Sequence, residues 1–76
     1  MIYKIMSRFD GRLLYECDAE SMAKALESGV EARANLRSAN LSYADLRSAD
    51  LSSADLSYAD LSSAYVKQII FQSSRL

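Results

Sequence analysis

Histidine is missing from this chain, and cysteine and glycine are nearly so: one Cys and two Gly occur in 76 residues. With Cys17 as the only thiol and no imidazole, zinc sites of the Cys/His type are excluded. The commonest general base is excluded with them. Serines are plentiful, but none stands in a recognisable arrangement with a base that would make it a nucleophile. A lone cysteine forms no internal disulfide, which points to a reducing compartment and a cytoplasmic setting. Gly11 and Gly29 are isolated, so there is no glycine-rich loop to cradle a phosphate. No apolar stretch approaches the length of a membrane span. Residues 1–12 lack the unbroken apolar run and small-residue cleavage site of a signal peptide. The formal net charge of −1 gives no bias toward nucleic acid. The expectation is a protein that is no enzyme, needs no cofactor or metal, and binds neither membrane nor nucleic acid directly.

What the chain has instead is a period of five. From Ala34 to Ser63 it reads ANLRS, ANLSY, ADLRS, ADLSS, ADLSY, ADLSS, and then a looser AYVKQ and IIFQS. On an α-helix a five-residue step rotates the side chain by roughly 140°, so Leu36, Leu41, Leu46 and Leu51 would spiral and share no face. On a β-strand an odd period sends successive leucines to opposite sides. The pattern is consistent only if the chain rounds a corner once per repeat. Every Leu, and the Ala two positions before it, then points inward in a narrow solenoid. The second, fourth and fifth positions face water.

Six consecutive units with Ala first and Leu third resemble the pentapeptide-repeat family, whose consensus is A(D/N)LXX. The resemblance implies a mostly β fold: a short right-handed quadrilateral β-helix of about two coils, with four repeats per turn. Residues twenty apart would then stack: Leu36 on Leu56, Leu41 on Leu61, Leu46 on Val66, Leu51 on Phe71, and Ala49 facing Ile69. Coils would lie about 4.8 Å apart, joined as in a parallel sheet. Residues 1–33 resemble the hairpin-plus-helix cap of small family members, with residues 34–76 as the solenoid in one structural unit.

The cap can be read residue by residue. Asp10-Gly11 marks a hairpin between strand-like segments 2–7 and 13–17. A three-residue loop with Gly11 left-handed puts Tyr3, Ile5, Leu13, Tyr15 and Cys17 on one face and sets Lys4 opposite Glu16. Asp18 reads as a helix N-cap, with Glu20 near the positive helix end. Ala19, Met22, Ala23 and Leu26 form an apolar stripe, and Gly29 reads as the stop. The expected helix spans 19–28. At the other end Val66, Ile69, Ile70 and Phe71 are bulkier than the consensus. They either plug the last coil or form the contact of a homodimer, and dimerisation is expected because so small a monomer has little core.

Function turns on charge placement. Within residues 16–31, Glu16, Asp18, Glu20, Glu27 and Glu31 stand against Lys24 alone, and Asp45, Asp50, Asp55 and Asp60 recur through the repeats. The family includes acidic rods that mimic duplex DNA. That resemblance implies a partner: a protein with a basic DNA-binding cleft, a topoisomerase or a phage-defence complex of the CRISPR type. The nine acids are the expected contact. By the stacking register, however, the four repeat aspartates lie on four different sides, so they make a belt and cannot converge on calcium. The alternative is an interaction scaffold without mimicry, in which Tyr43 and Tyr58, at fifth positions, could anchor a partner.

Overall fold

The computed structural model describes residues 1–70. Its element order is β1 (Ile2–Met6), β2 (Leu13–Asp18) and α1 (Met22–Glu31), followed by the repeats. Phe71, one of the expected dimer-contact residues, lies outside the described residues, as does its expected stacking on Leu51.

The strands pair antiparallel with Tyr3 opposite Cys17, Lys4 opposite Glu16 and Ile5 opposite Tyr15, as the three-residue loop requires. Gly11 takes the left-handed φ of 70°. The register then slips. A bulge places Met6 opposite Leu13, and the extra residue is Leu14. One inserted residue reverses the facing of its neighbours beyond the bulge. Leu14 therefore packs against the core and Leu13 is exposed, the reverse of the sequence reading.

The helix begins later than its expected span of 19–28. Asp18 is not its cap: it remains in β2 opposite Ile2, and its carboxylate accepts from the terminal ammonium of Met1 at 2.6 Å. Ser21 is the cap, in extended conformation, its Oγ accepting the Lys24 N–H at 3.2 Å. No acid stands in the first turn, so Glu20 precedes the helix instead of sitting in it. Gly29 does not stop the helix either. It is a buried helical residue, and a Cβ there would lie 3.1 Å from Tyr15 Cδ2 and 3.5 Å from Leu36 Cδ1. Glycine permits this close approach to the hairpin and the first repeat. The stop is Arg33, left-handed at φ 60°. Its N–H donates to the Val30 carbonyl and that of Ala34 to the Gly29 carbonyl, the paired bonds of a Schellman ending.

Arg33 also begins a series. Ser38, Tyr43, Ser48, Ser53, Tyr58, Ser63 and Gln68 all have φ between 58° and 65°. Every fifth residue is thus a left-handed corner. Within each corner the Ala N–H of the next repeat donates to the preceding Leu carbonyl, from Ala39 to Leu36 at 3.2 Å through Ala64 to Leu61 at 3.1 Å. A bond across four residues with positive φ only at the third is the pattern of a type II turn. Glycine is the usual occupant, and each L-residue there is strained by about 1–2 kcal/mol. Bonds between coils hold the strained corners: Ser38 N–H to the Ser57 carbonyl, Tyr43 to Ser62, Ser48 to Lys67.

Residues twenty apart meet as parallel bridges, Asn40 with Asp60, Asp45 with Tyr65 and Asp50 with Ile70, so four repeats bring the chain back to the same side. Leu36, Leu41, Leu46, Leu51 and Leu56 are all buried, joined by Ala39, Ala49 and Ala54. Helix α1 adds the fully buried Ala25 and Leu26. The hairpin covers the free edge of the first coil with backbone bonds. Ser7 bridges Ala39, the Asn40 N–H donates to the Met6 carbonyl, and the Arg8 N–H donates to the Ser38 carbonyl. An unpaired parallel edge would otherwise invite association.

Candidate functional site

The second position of each repeat has a structural task first. Asn35, Asn40, Asp45, Asp50, Asp55 and Asp60 each accept, through Oδ1, the N–H two residues ahead, at 2.9–3.2 Å. Each side chain closes an Asx turn that leads the chain into its corner. Where the fourth residue is serine beside an Asn or Asp, its hydroxyl donates to the same oxygen, as in Ser42, Ser52 and Ser62.

These bonds favour the ionised carboxylate. The Arg47 side chain, followed by its backbone N–H, pulls Asp45 down to about 2. The Ser52 hydroxyl and N–H lower Asp50, and those of Ser62 lower Asp60, with the Arg8 charge adding to the latter. The repeat aspartates stay charged, but bound back into their own turns.

The cap acids disperse. Glu16 faces Lys4 across the hairpin, and Asp18 holds the amino terminus. Glu20 is exposed ahead of the helix. Glu27 is mostly buried: Oε1 pairs with Lys24 at 3.3 Å, and Oε2 accepts the Asp50 N–H at 2.7 Å, tying the helix to the fourth side of the first coil. One convergence survives. Glu27, Glu31 and Asp50, with Val30 and Ser52, line a groove of about 260 Å³. Glu31 also borders a second groove of about 510 Å³ floored by Val30, Ala34, Leu36 and Ala54, with Asp55 and Arg33 on its rim. Glu16, Asp18, Glu20, Asp45 and Asp60 join neither groove. Among the described residues no group of His, Cys, Asp or Glu side chains could hold a metal ion. Cys17 is a half-buried free thiol.

At the end of the second coil Val66 and Ile70 are exposed and Ile69 packs partly against the core. Tyr43, Tyr58 and Tyr65 project outward at 77%, 66% and 61% exposure. The Arg37 guanidinium lies 5.9 Å from the Tyr58 ring centre and that of Arg47 5.6 Å from Tyr65. The sequence reading did not identify these arginines. A signal existed: stacking at twenty residues sets Arg37 over Ser57, beside Tyr58.

Among the described residues no helix is long and apolar enough to cross a membrane. The family model for pentapeptide repeats, in eight copies, matches residues 32–68. No curated protein and no solved structure matches the chain significantly.

Proposed function

The chain is a pentapeptide-repeat protein, and on that premise we propose that it is a non-enzymatic, cytoplasmic protein-binding module built on a right-handed quadrilateral β-helix of about two coils. Parallel bridges on three sides at a constant spacing of twenty residues support that architecture. The observation that carries the function is the outward display of Tyr43, Tyr58 and Tyr65, two of them stacked with arginine, on a scaffold of hydrogen-bonded corners. Tyrosine and arginine are the residues most often found where protein contacts carry their energy, and a rigid mount reduces the entropy lost on docking. Immobilised protein should retain a partner from nuclease-treated bacterial lysate. Replacing Tyr43 and Tyr58 with Ala should release it while the circular dichroism spectrum stays unchanged. Retention unaffected by that double change would refute the reading.

The convergence of Glu27, Glu31 and Asp50 around one groove favours a second reading, mimicry of DNA toward a protein with a basic cleft. Its acids are fewer than nine and cluster at one junction. A partner captured this way should compete with duplex DNA, and Glu31→Lys should relieve the competition. The apolar end of the second coil supports self-association, for which Ile70→Lys should give monomer in sedimentation equilibrium without loss of fold. A wild-type protein already monomeric at high micromolar concentration would end that proposal.

A further inference from the structure

Among the described residues, two guanidinium groups stack on repeat tyrosines, and one of the two is neutralised there. Arg47 beside Tyr65 is gripped by both carboxylate oxygens of Asp45, Nε to Oδ1 at 2.8 Å and Nη2 to Oδ2 at 2.7 Å. Arg37 beside Tyr58 occupies the same repeat position, but the residue two before it is Asn35. The asparagine performs the backbone half of the task, accepting the Arg37 N–H at 3.2 Å as Asp45 accepts that of Arg47. It supplies no charge. Among the described residues the Arg37 guanidinium has no carboxylate within ion-pair reach.

A second guanidinium stands beside it, outside ion-pair distance of any described carboxylate though close enough to Asp60 to act on its charge. Arg8, on the hairpin tip, lies 5.1 Å from the Phe9 ring centre, and its Nη1 donates to the Tyr58 carbonyl at 3.2 Å. The backbone bond from Arg8 N–H to the Ser38 carbonyl fixes the tip against this corner. Tyr58 is therefore bracketed by two cations, each braced on a ring, and both Phe9 and Tyr58 are about two-thirds exposed.

We propose that the corner formed by Arg8, Phe9, Arg37 and Tyr58 is a docking site for an acidic protein segment, whose carboxylates take the open Arg37 fork and the edge of the Arg8 guanidinium not held by the Tyr58 carbonyl. The proposal rests on the protein-binding reading above and gives its partner a chemistry. A stacked guanidinium is pre-oriented, so less freedom is lost when it grips a carboxylate with two parallel hydrogen bonds. Nucleic acid fits less well. Asp60 is near enough to Arg8 to feel its charge, and Asp10 sits on the same hairpin tip. A phosphate chain carries a charge at every link and would meet these carboxylates, whereas a protein segment can set one or two glutamates at the guanidinium groups with neutral residues elsewhere.

The test uses the full chain and a fluorescein-labelled decapeptide carrying two glutamates among neutral residues, followed by fluorescence anisotropy. Saturable binding that weakens from low to physiological salt is expected. Asn35→Asp should weaken it about fivefold by giving Arg37 an internal partner. The fold should be untouched, because Asp occupies this position in four other repeats. Asp45→Asn should do the opposite, freeing Arg47 and adding a second site. No saturation, or equal binding by wild type and Asn35→Asp, would overturn the proposal. So would tighter binding of a single-stranded oligothymidylate of equal charge. If the peptide fails while a lysate protein is still retained through the tyrosines, this proposal falls and the binding-module reading stands. If the peptide binds and no protein is retained, the reverse holds.

Discussion

Truncating leucines at two levels of the repeat stack tests whether burial in this fold is graded along the axis. Leu46 is fully buried within the first coil, between the cap and the second coil, and its N–H donates to the Tyr65 carbonyl. Leu61 holds the same repeat position in the second coil but is only partly buried. Leu46→Ala removes apolar contacts on every side and leaves a void that hydrogen-bonded corners cannot collapse to fill. A loss of about 3–4 kcal/mol is expected, in the upper part of the range for buried leucines. Leu61→Ala opens a space that water reaches, so only part of the transfer energy is lost, about 1 kcal/mol. A 76-residue domain holds about 4–11 kcal/mol in all. The first change thus consumes a large share of the total and the second a small one. Each kcal/mol moves the melting temperature of a domain this size by about 4–8 °C. Leu46→Ala should therefore melt more than about 12 °C below wild type, and Leu61→Ala less than about 10 °C below. Urea unfolding of both should keep the wild-type slope. Equal losses at the two positions would refute a core that thins from first coil to second.

Three further outcomes rest on local geometry. Asp45, Asp50 and Asp60 are more acidic folded than in an unfolded chain, whose aspartates titrate near 3.8; their stabilisation is complete above about pH 5 and is lost as pH falls through 3.8 and then through the folded values, about 2 for Asp45, so melting temperature should be flat from pH 7 to about 5 and then drop, and a rise at pH 2 would contradict this. Ser21→Ala should destabilise by about 1 kcal/mol in chemical unfolding through loss of the helix cap, while Asp18→Ala should leave helix content by circular dichroism unchanged; the opposite ranking would restore Asp18 as the cap. Gly29→Ala should destabilise despite alanine's higher helix propensity, since its Cβ presses on Tyr15, whose hydroxyl is pinned to Ser28 Oγ at 2.7 Å; a net loss of about 1 kcal/mol is expected, and Tyr15→Phe in the same chain should recover part of it.

The legible and the hidden parts of this fold divide along a physical line. The inward Leu and Ala were legible because burial imposes one residue type at one spacing, and a five-residue spacing contradicts both helix and strand. The corners were hidden because their left-handed residues are Ser, Tyr, Arg and Gln, while glycine, the usual marker, is absent from all of them. Asp18 misled because a good N-cap residue is equally able to end a strand. Two residues decided the matter from outside the helix: Ile2 pairs with Asp18, and the Met1 ammonium claims its carboxylate. Gly29 misled for the converse reason, since a helical glycine demanded by close packing looks the same in sequence as a stop. The acids show the deepest limit. Asp45 and Asp50 are identical in the repeat pattern, yet one neutralises a stacked arginine and the other yields its N–H to Glu27 from the helix. The Asn/Asp alternation reads as conservative because either side chain closes the turn. Its consequence emerges only when the fourth residue is arginine: Asn35 leaves a guanidinium open where Asp45 closes one. A repeat that tolerates both residues for folding thus sets, by the choice between them, which of its sides can hold an anion.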